Sequence, residues 1–460
     1  MRRSVRFLLL VGGLGGLMCG IDFGIIAVSL PYIRALSLYT DVQIGWIVGG
    51  VMLGGIFASA VGGCLCDRLG RRAALLFAAL LFLAAIPVIC LSGRSFSVIM
   101  AGRMLQGMSC GLLSMAMPLY LAEALPADCR GRGTAIFQLF LGIGLVLASI
   151  SGIVLANVFG AADAAADQVS DTAKSMAWRI SFWWTLLPGA ALLACTCLAS
   201  ESPAWLERKL NHNGAKERER TGAPSVMMAS DTLFQRKYVI PFLLALAVLT
   251  LNKLIGFGCV VPYAVVLFQK AGLAGAWGNA GDCAIKVLNL AVTLLVVGLV
   301  ERKGRTFLLR IGTAGLSVSL AFIGLIFFAM ERGWLAPSFG TGCLTLASFL
   351  ALVFFYAFGP GVCVWLVLSE LMPTRIRAKG MSIALFSNQF VAWGLAAAFL
   401  PVANVGGFGL VFLFFATMGM LYFATARLIP ETKGKSLDEL EALFDIMSDT
   451  GKETKKGIES

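Results

Sequence analysis

The sequence predicts an all-α membrane protein with twelve transmembrane helices in two six-helix bundles. Hydrophobic residues make up 58% of the 460-residue chain and charged residues only 13%, which is more apolar surface than a water-soluble protein of this length can bury. Twelve continuous apolar stretches of about 20 residues or more follow one another. A basic hexapeptide at residues 67–72, DRLGRR, returns in degenerate form as ERKGRT at residues 301–306, which indicates two similar halves.

The apolar stretches are continuous, whereas the strands of a membrane barrel alternate in hydrophobicity, so helices are predicted. The predicted helices cover residues 8–33, 43–65, 73–92, 97–122, 133–158, 179–199, 239–268, 280–300, 307–330, 342–369, 379–402 and 408–429. They divide the chain into an N-terminal bundle (1–199), a cytoplasmic helix and linker (200–238), a C-terminal bundle (239–429) and a cytoplasmic tail (430–460). The first stretch lacks a prompt small-residue cleavage site, which favours a retained helix over a signal peptide.

The net charge of +12 is concentrated in alternate loops. Basic residues precede the first predicted helix, follow the second, fourth, eighth and tenth, and recur through the linker, whereas the opposite loops, including an acidic one at 159–177, hold few. This is the positive-inside pattern, with both termini cytoplasmic. The basic residues therefore orient a multi-pass protein in the cell membrane (the inner membrane in a bacterium) and do not indicate a nucleic-acid partner.

Cysteine and histidine usage gives no sign of metal or cofactor chemistry. The twelve cysteines fall almost entirely inside apolar stretches, and the single histidine, His212, lies in the predicted linker. Buried thiols that pack as small hydrophobic groups explain this placement better than metal ligands do. No serine, histidine or cysteine constellation accompanies a base within the predicted helices, so the sequence predicts no enzyme, no cofactor and no metal site.

Seven strings, in order, carry a resemblance to a known family: DRLGRR (67–72), GRMLQG (102–107), PLYLAEALPADCRG (118–131), ESPAWL (201–206), ERKGR (301–305), GPGVCVWLVLSELMP (359–373) and PETKGKS (430–436). Together they resemble the sugar porter family of the major facilitator superfamily over nearly the whole chain. The resemblance implies the major facilitator fold and alternating access. It also implies a lipid-embedded functional monomer whose partners are a small sugar-like substrate and a proton.

In that family, charged residues at the inner helix ends form ion pairs that tie the halves together when the transporter faces outward. Exposed ion pairs contribute about 0–1 kcal/mol each, so a network of them can break and reform during a transport cycle. Charges that only set the topology are the alternative explanation. The matching residues of this predicted cytoplasmic gate are Asp67, Arg71, Arg72, Glu123, Arg130, Glu301, Arg302, Arg305, Glu370 and Arg377.

One acidic residue lies midway along the first predicted helix. Asp22 matches a position that is acidic in proton-coupled members of the family, and Arg103 at the start of the fourth helix is its implied partner. A charge at mid-bilayer depth costs about 3 kcal/mol or more, so such residues are functional candidates by default. An acid that is ionised beside arginine, and takes a proton when separated from it, would couple transport to protons. A static structural ion pair is the alternative.

Sugar recognition requires amides that bind hydroxyl groups and an aromatic face for the ring. By resemblance, the matching substrate-binding residues are Gln138, Asn289, Trp365 and Asn388, although Trp365 also fits a packing role.

The seventh helix departs from the family pattern of two adjacent glutamines followed by Gly-Ile-Asn. Asn252 and Lys253 stand at the glutamine positions, and Phe257 and Gly258 at the Ile-Asn positions. We therefore add Asn252 and Lys253 to the predicted substrate site. In the eighth helix, Asp282, Lys286, Asn289 and Thr293 share one face, where Asp282 and Lys286 can pair or the lysine can snorkel to the surface.

These residues predict proton-coupled uptake of a sugar or sugar-like solute by alternating access. Three alternatives stay open: a carrier of an anionic sugar derivative, which Lys253 motivates; an uncoupled facilitative sugar carrier; and a sugar sensor that does not transport. The tail after Pro430 is short for a sensor that signals through a cytoplasmic extension.

Overall fold

The computed structural model describes residues 5–126, 130–160, 169–203, 205–207, 209–210, 236–364 and 377–429. Helices make up most of this part of the chain. They are α1 (Val5–Ala35), α2 (Asp41–Leu69), α3 (Arg71–Cys90), α4 (Phe96–Ala124), α5 (Arg130–Phe159), α6 (Asp171–Trp183), α7 (Leu186–Leu198), α8 (Arg236–Leu254), α9 (Phe257–Val260), α10 (Ala264–Ala271), α11 (Ala276–Lys303), α12 (Arg305–Glu331), α13 (Phe339–Phe358), α14 (Arg377–Gly406) and α15 (Phe408–Leu428).

Twelve helical spans in the described residues are long and apolar enough to cross a membrane, which confirms the predicted all-α fold. The sixth span begins earlier than predicted, because part of the expected loop at 159–177 is helical. Its start is fixed by Ser170, whose side chain accepts a hydrogen bond from the backbone of Ala173. The first turns of this helix are polar, and an apolar stretch therefore does not reveal them.

The seventh span is interrupted where a continuous helix over 239–268 was predicted. The helix α8 ends at Leu254, and Gly256 adopts a left-handed conformation with φ of 76°. The chain then continues through α9, a 3₁₀ turn at Val261–Tyr263 and α10. Glycine tolerates positive φ without a Cβ clash, so Gly256 allows the break. A broken helix at membrane depth is tolerated where it lines a cavity.

The helices pack as two sets, defined here as the first helix set (α1–α7) and the second helix set (α8–α15). Within the first, α1 packs on α5 and α4 packs on both α2 and α3; within the second, α12 packs on α13 and α15. Two extensive pairs, α2 with α14 and α5 with α11, join the sets. The domain boundaries at residues 199 and 238 stay a prediction.

Glycines bring α2 and α4 into close contact. A Cβ atom on Gly107 would overlap the carbonyl oxygen of Val51, and one on Gly54 would overlap the carbonyl oxygen of Met104. Small residues at helix crossings let membrane helices approach closely enough for van der Waals packing to hold them. Gly107, the last residue of GRMLQG, therefore has a packing role that explains its place in the motif.

The two helix sets meet at the membrane side where α2 begins. The Asn404 side chain donates a hydrogen bond to the Asp41 carboxylate over 2.7 Å, and Asp41 also lies 3.9 Å from Arg34. One turn further along α2, a Cβ on Gly45 would overlap the carbonyl oxygen of Ala397. This end of the interface between the sets is closed.

We expect Gly107→Ala to destabilise the protein by about 1–3 kcal/mol, because the added methyl group forces α2 and α4 apart. Thermal unfolding in detergent micelles measures the effect. Gly298→Ala is the matched control, since a Cβ at that position meets nothing within 4 Å. Equal stability of the two variants would contradict this packing role.

Candidate functional site

A cavity of about 300 Å³ lies between the two helix sets, near the middle of the membrane spans. Helices α1, α2, α4 and α5 line it from one side, and α9, α11, α13 and the end of α8 line it from the other. Its wall is mostly apolar. The polar side chains among the described lining residues are Arg103, Lys253, Lys286, Asn289 and Tyr356.

Asp22 and Arg103, predicted as a pair, lie together beside this cavity. Asp22 is fully buried and Arg103 is 1% exposed, and their Oδ1 and Nη1 atoms are 3.9 Å apart. The other carboxylate oxygen accepts a hydrogen bond from the Cys110 thiol over 3.1 Å. Arg103 directs its donors elsewhere, to the side chain of Gln106 at 2.7 Å and the carbonyl oxygen of Ile47 at 3.3 Å. The two charges attract each other without sharing a direct hydrogen bond.

A second buried ion pair lies on α11. The Lys286 ammonium donates to Asp282 Oδ2 over 2.7 Å, which confirms that these residues pair one helical turn apart. Ser149 on α5 donates to the same oxygen over 2.5 Å, so the carboxylate bridges the two helix sets. Both side chains of the ion pair are almost fully buried, and Lys286 also contributes to the cavity wall.

Lys253 lies at the end of α8, directly before the break in the seventh span, and lines the cavity. In the described part of the chain, no carboxylate lies within 4.0 Å of its ammonium group. It differs in this respect from Arg103 and Lys286. Asn289 lines the same cavity from α11.

The other predicted substrate-binding residues, apart from Asn252, do not line this cavity in the described part of the structure. Gln138 is exposed on α5 and lies one turn before Leu141, which lines the cavity. Asn388 is 2% exposed and donates to the carbonyl oxygen of Leu249 over 3.0 Å, so it joins α14 to α8 behind the cavity wall. Trp365 lies outside the described residues.

The placement of Asn252 does not agree with its predicted contact with substrate. Its side chain is 4% exposed, is absent from the cavity wall and lies beside the hydroxyl groups of Tyr356 and Tyr422. The rotation of α8 thus turns Lys253 toward the cavity and the Asn252 side chain toward the two tyrosines.

The basic motif at residues 67–72 builds a compact network around Arg71. The guanidinium group binds Glu123 through two hydrogen bonds of 3.0 and 3.1 Å and Asp67 through a third of 3.1 Å. These pairs join α2, α3 and α4, which all belong to the first helix set. As paired here, Asp67, Arg71 and Glu123 hold the first helix set together. That ion pairs of these residues join the two halves in an outward-facing state stays a prediction.

Glu201 is a member of this network that the sequence analysis did not select. Its carboxylate accepts hydrogen bonds from the backbone N–H groups of Arg71 and Arg72 and thereby caps the start of α3. A negative group at a helix N-terminus satisfies free donors and interacts favourably with the helix dipole. Glu201 is the first residue of the ESPAWL string, which follows the sixth predicted helix. That position in a family motif could have indicated its role.

The other predicted gate residues are partly described. Arg72 donates to the carbonyl oxygens of Thr196 and Cys197 at the end of α7. Arg302 is exposed and Arg305 half-buried at the junction of α11 and α12. The side chains of Arg130, Glu301, Glu370 and Arg377 lie outside the described part of the structure.

Twelve apolar spans form two helix sets with a cavity between them that carries a few polar side chains, which defines a multi-pass membrane protein built like a secondary transporter. The family model for sugar (and other) transporters matches residues 8–444. The chain therefore belongs to the sugar porter family of the major facilitator superfamily.

Relatives of known name cover almost the whole chain. The arabinose-proton symporter of Bacillus subtilis is 28% identical over 96% of both proteins. The glucose transporter GlcP of Staphylococcus epidermidis is 25% identical over 99% of this chain and 100% of its own. Among solved structures, a D-xylose-proton symporter superposes with a TM-score of 0.76 at 24% identity, covering 94% of this chain and 100% of that one. At this identity the structural similarity shows the fold.

We expect Asp282→Asn to destabilise the protein by about 3–5 kcal/mol, because it leaves the buried Lys286 ammonium without its carboxylate. The double variant Asp282→Asn/Lys286→Met should lose less stability, since it removes the unpaired charge as well. Thermal unfolding in detergent measures both, with Asp171→Asn as the control at an exposed acid. If the double variant proves less stable than the single one, the buried pair does not determine the stability of this region.

Proposed function

We propose that the protein imports a sugar or sugar-like solute together with a proton by alternating access. The main support is the Asp22–Arg103 pair, which is buried at mid-membrane depth beside a cavity between the two helix sets. The named relatives include an arabinose-proton symporter, which is consistent with this coupling. Both termini lie in the cytoplasm, on the basis of the basic residues in alternate loops.

The geometry of the pair suggests how binding of the solute and of the proton are linked. Arg103 lines the cavity, and its nearest nitrogen lies 3.9 Å from Asp22, beyond hydrogen-bond distance. A solute that binds the guanidinium group draws it further from the carboxylate. An isolated buried carboxylate is costly, so Asp22 then binds a proton and becomes neutral. With Asp22 neutral, the protein can change from outward to inward access, a change that a charged carboxylate in the membrane opposes.

The contacts between the helix sets support a state that is closed to the outside. The positive-inside orientation places the Asp41–Asn404 hydrogen bond on the outer side of the membrane. Access from outside then requires α2 to separate from α14 and α5 from α11. The Ser149–Asp282 hydrogen bond crosses the second of these pairs and has to break in the same step.

Solute binding uses the side chains of the cavity. Asn289 offers an amide to hydroxyl groups. Phe257 and Tyr356 stack face to face with ring centroids 3.6 Å apart, and both rings reach the wall, so they present the aromatic surface that a sugar ring contacts. The described cavity thus combines few polar groups with an apolar wall, as small-molecule sites do.

We expect Asp22→Asn to abolish sugar accumulation that is driven by a pH gradient and to leave exchange of sugar across the membrane intact. Neutral asparagine cannot carry the proton, but the cavity is preserved. Proteoliposomes with an acidic exterior measure accumulation and medium alkalinisation for arabinose, xylose and glucose, and counterflow measures exchange.

Asp171→Asn serves as the control, because Asp171 is exposed and distant from the cavity. Full gradient-driven accumulation by Asp22→Asn would exclude coupling at Asp22 and favour an uncoupled facilitative carrier. Binding of sugar without uptake or exchange in the unaltered protein would favour a sensor.

A further inference from the structure

We propose that the transported solute carries a carboxylate and that Lys253 binds it, so that the substrate class is a sugar acid of monosaccharide size. The inference rests on the proposed transport function and narrows it to an anionic substrate. It comes from the charges that face the cavity.

Three cationic side chains line the cavity, and two of them have a carboxylate close by. Arg103 lies beside Asp22, and Lys286 binds Asp282. The Lys253 ammonium has no carboxylate within 4.0 Å among the described residues. The described lining residues include no acid. Within the described part of the wall, the Lys253 charge therefore has no carboxylate beside it.

Snorkelling does not relieve this charge. Lys253 lies seventeen residues beyond the start of α8 at Arg236, which is about 25 Å along a helix, and its side chain lines the cavity instead of the lipid surface. A cation at this depth is costly unless it has a partner or water. A carboxylate on the solute supplies that partner, and a charge-assisted hydrogen bond between them is stronger than a neutral one.

The same wall is poor in groups that bind neutral hydroxyls. Asn252 and Asn388 are buried outside the cavity wall, which leaves the Asn289 amide as the neutral amide among the described lining residues. Gly258 lines the cavity, and a Cβ at this position meets nothing within 4 Å. The wall thus has open space at Gly258 and a cation at Lys253. The volume of about 300 Å³ is at the small end for ligand sites and suits a single sugar unit.

The test uses pairs of solutes that differ in the carboxylate alone: D-glucuronate with D-glucose, D-galacturonate with D-galactose, and D-gluconate with sorbitol. Uptake into proteoliposomes that contain the full-length protein gives KM for each member. We expect at least one acid to be transported with a KM at least tenfold below that of its neutral partner. Neutral solutes transported while every acid is excluded would overturn the inference and leave the proposed sugar transport standing. Failure to transport any of the six, and arabinose and xylose as well, would overturn both.

Variants at Lys253 identify the group that binds the carboxylate. Lys253→Gln should raise KM for the acid at least tenfold and leave KM for the neutral partner within about twofold, whereas Lys253→Arg should retain acid transport. Lys270→Gln is the control, because it removes a positive charge from α10 of the same span, outside the cavity. Equal KM for the acid in Lys253→Gln and the unaltered protein would overturn the assignment to Lys253.

A double variant tests the same assignment through a reversal of substrate preference, which poor folding cannot produce. Gly258→Asn places an amide in the open space at that position. The combination Lys253→Gln/Gly258→Asn should favour the neutral member of the pair, which reverses the preference of the unaltered protein. An unchanged preference for the acid in this double variant would likewise overturn the role of Lys253.

Discussion

Charges buried in a membrane have to be balanced, and this requirement organises the centre of the molecule. Water cannot stabilise an ion at this depth, so each buried charge needs a partner nearby. Asp22 lies beside Arg103 within the first helix set, and Asp282 binds Lys286 within the second. The basic member of each pair lines one cavity, where water, a solute or a proton can alter the interaction between the two charges. Lys253 faces the same space without such a partner in the described chain.

The packing around the cavity connects this balance to movement. Glycines hold α2 firmly against α4, which keeps the first helix set compact. The two sets meet chiefly through the helix pairs α2–α14 and α5–α11, and α1 also contacts the 3₁₀ turn and α10. Hydrogen bonds from Asn404 to Asp41 and from Ser149 to Asp282 cross the interface. Two compact bodies with a separable interface suit the rocking motion of a secondary transporter. The Arg71–Glu123 network strengthens the first helix set.

Sequence patterns predicted features that depend on local composition. Twelve spans follow from apolar length, and the Asp282–Lys286 pair follows from helical spacing. The proximity of Asp22 and Arg103 came from family resemblance. The break at Gly256 escaped prediction because its neighbours are apolar in either conformation. Asn252 was placed in the site and lies outside the cavity wall, because the rotation of α8 turns its side chain toward Tyr356 and Tyr422, and the sequence does not give that rotation.

The number of charges moved with each solute tests the account most directly. Solid-supported membrane electrophysiology, with a pH indicator in the same proteoliposomes, records net current and proton movement together. A proton and a carboxylate cancel, so the account predicts that a sugar acid enters with medium alkalinisation and without net current. A neutral sugar carried with one net positive charge, while sugar acids cause neither proton movement nor uptake, would contradict it.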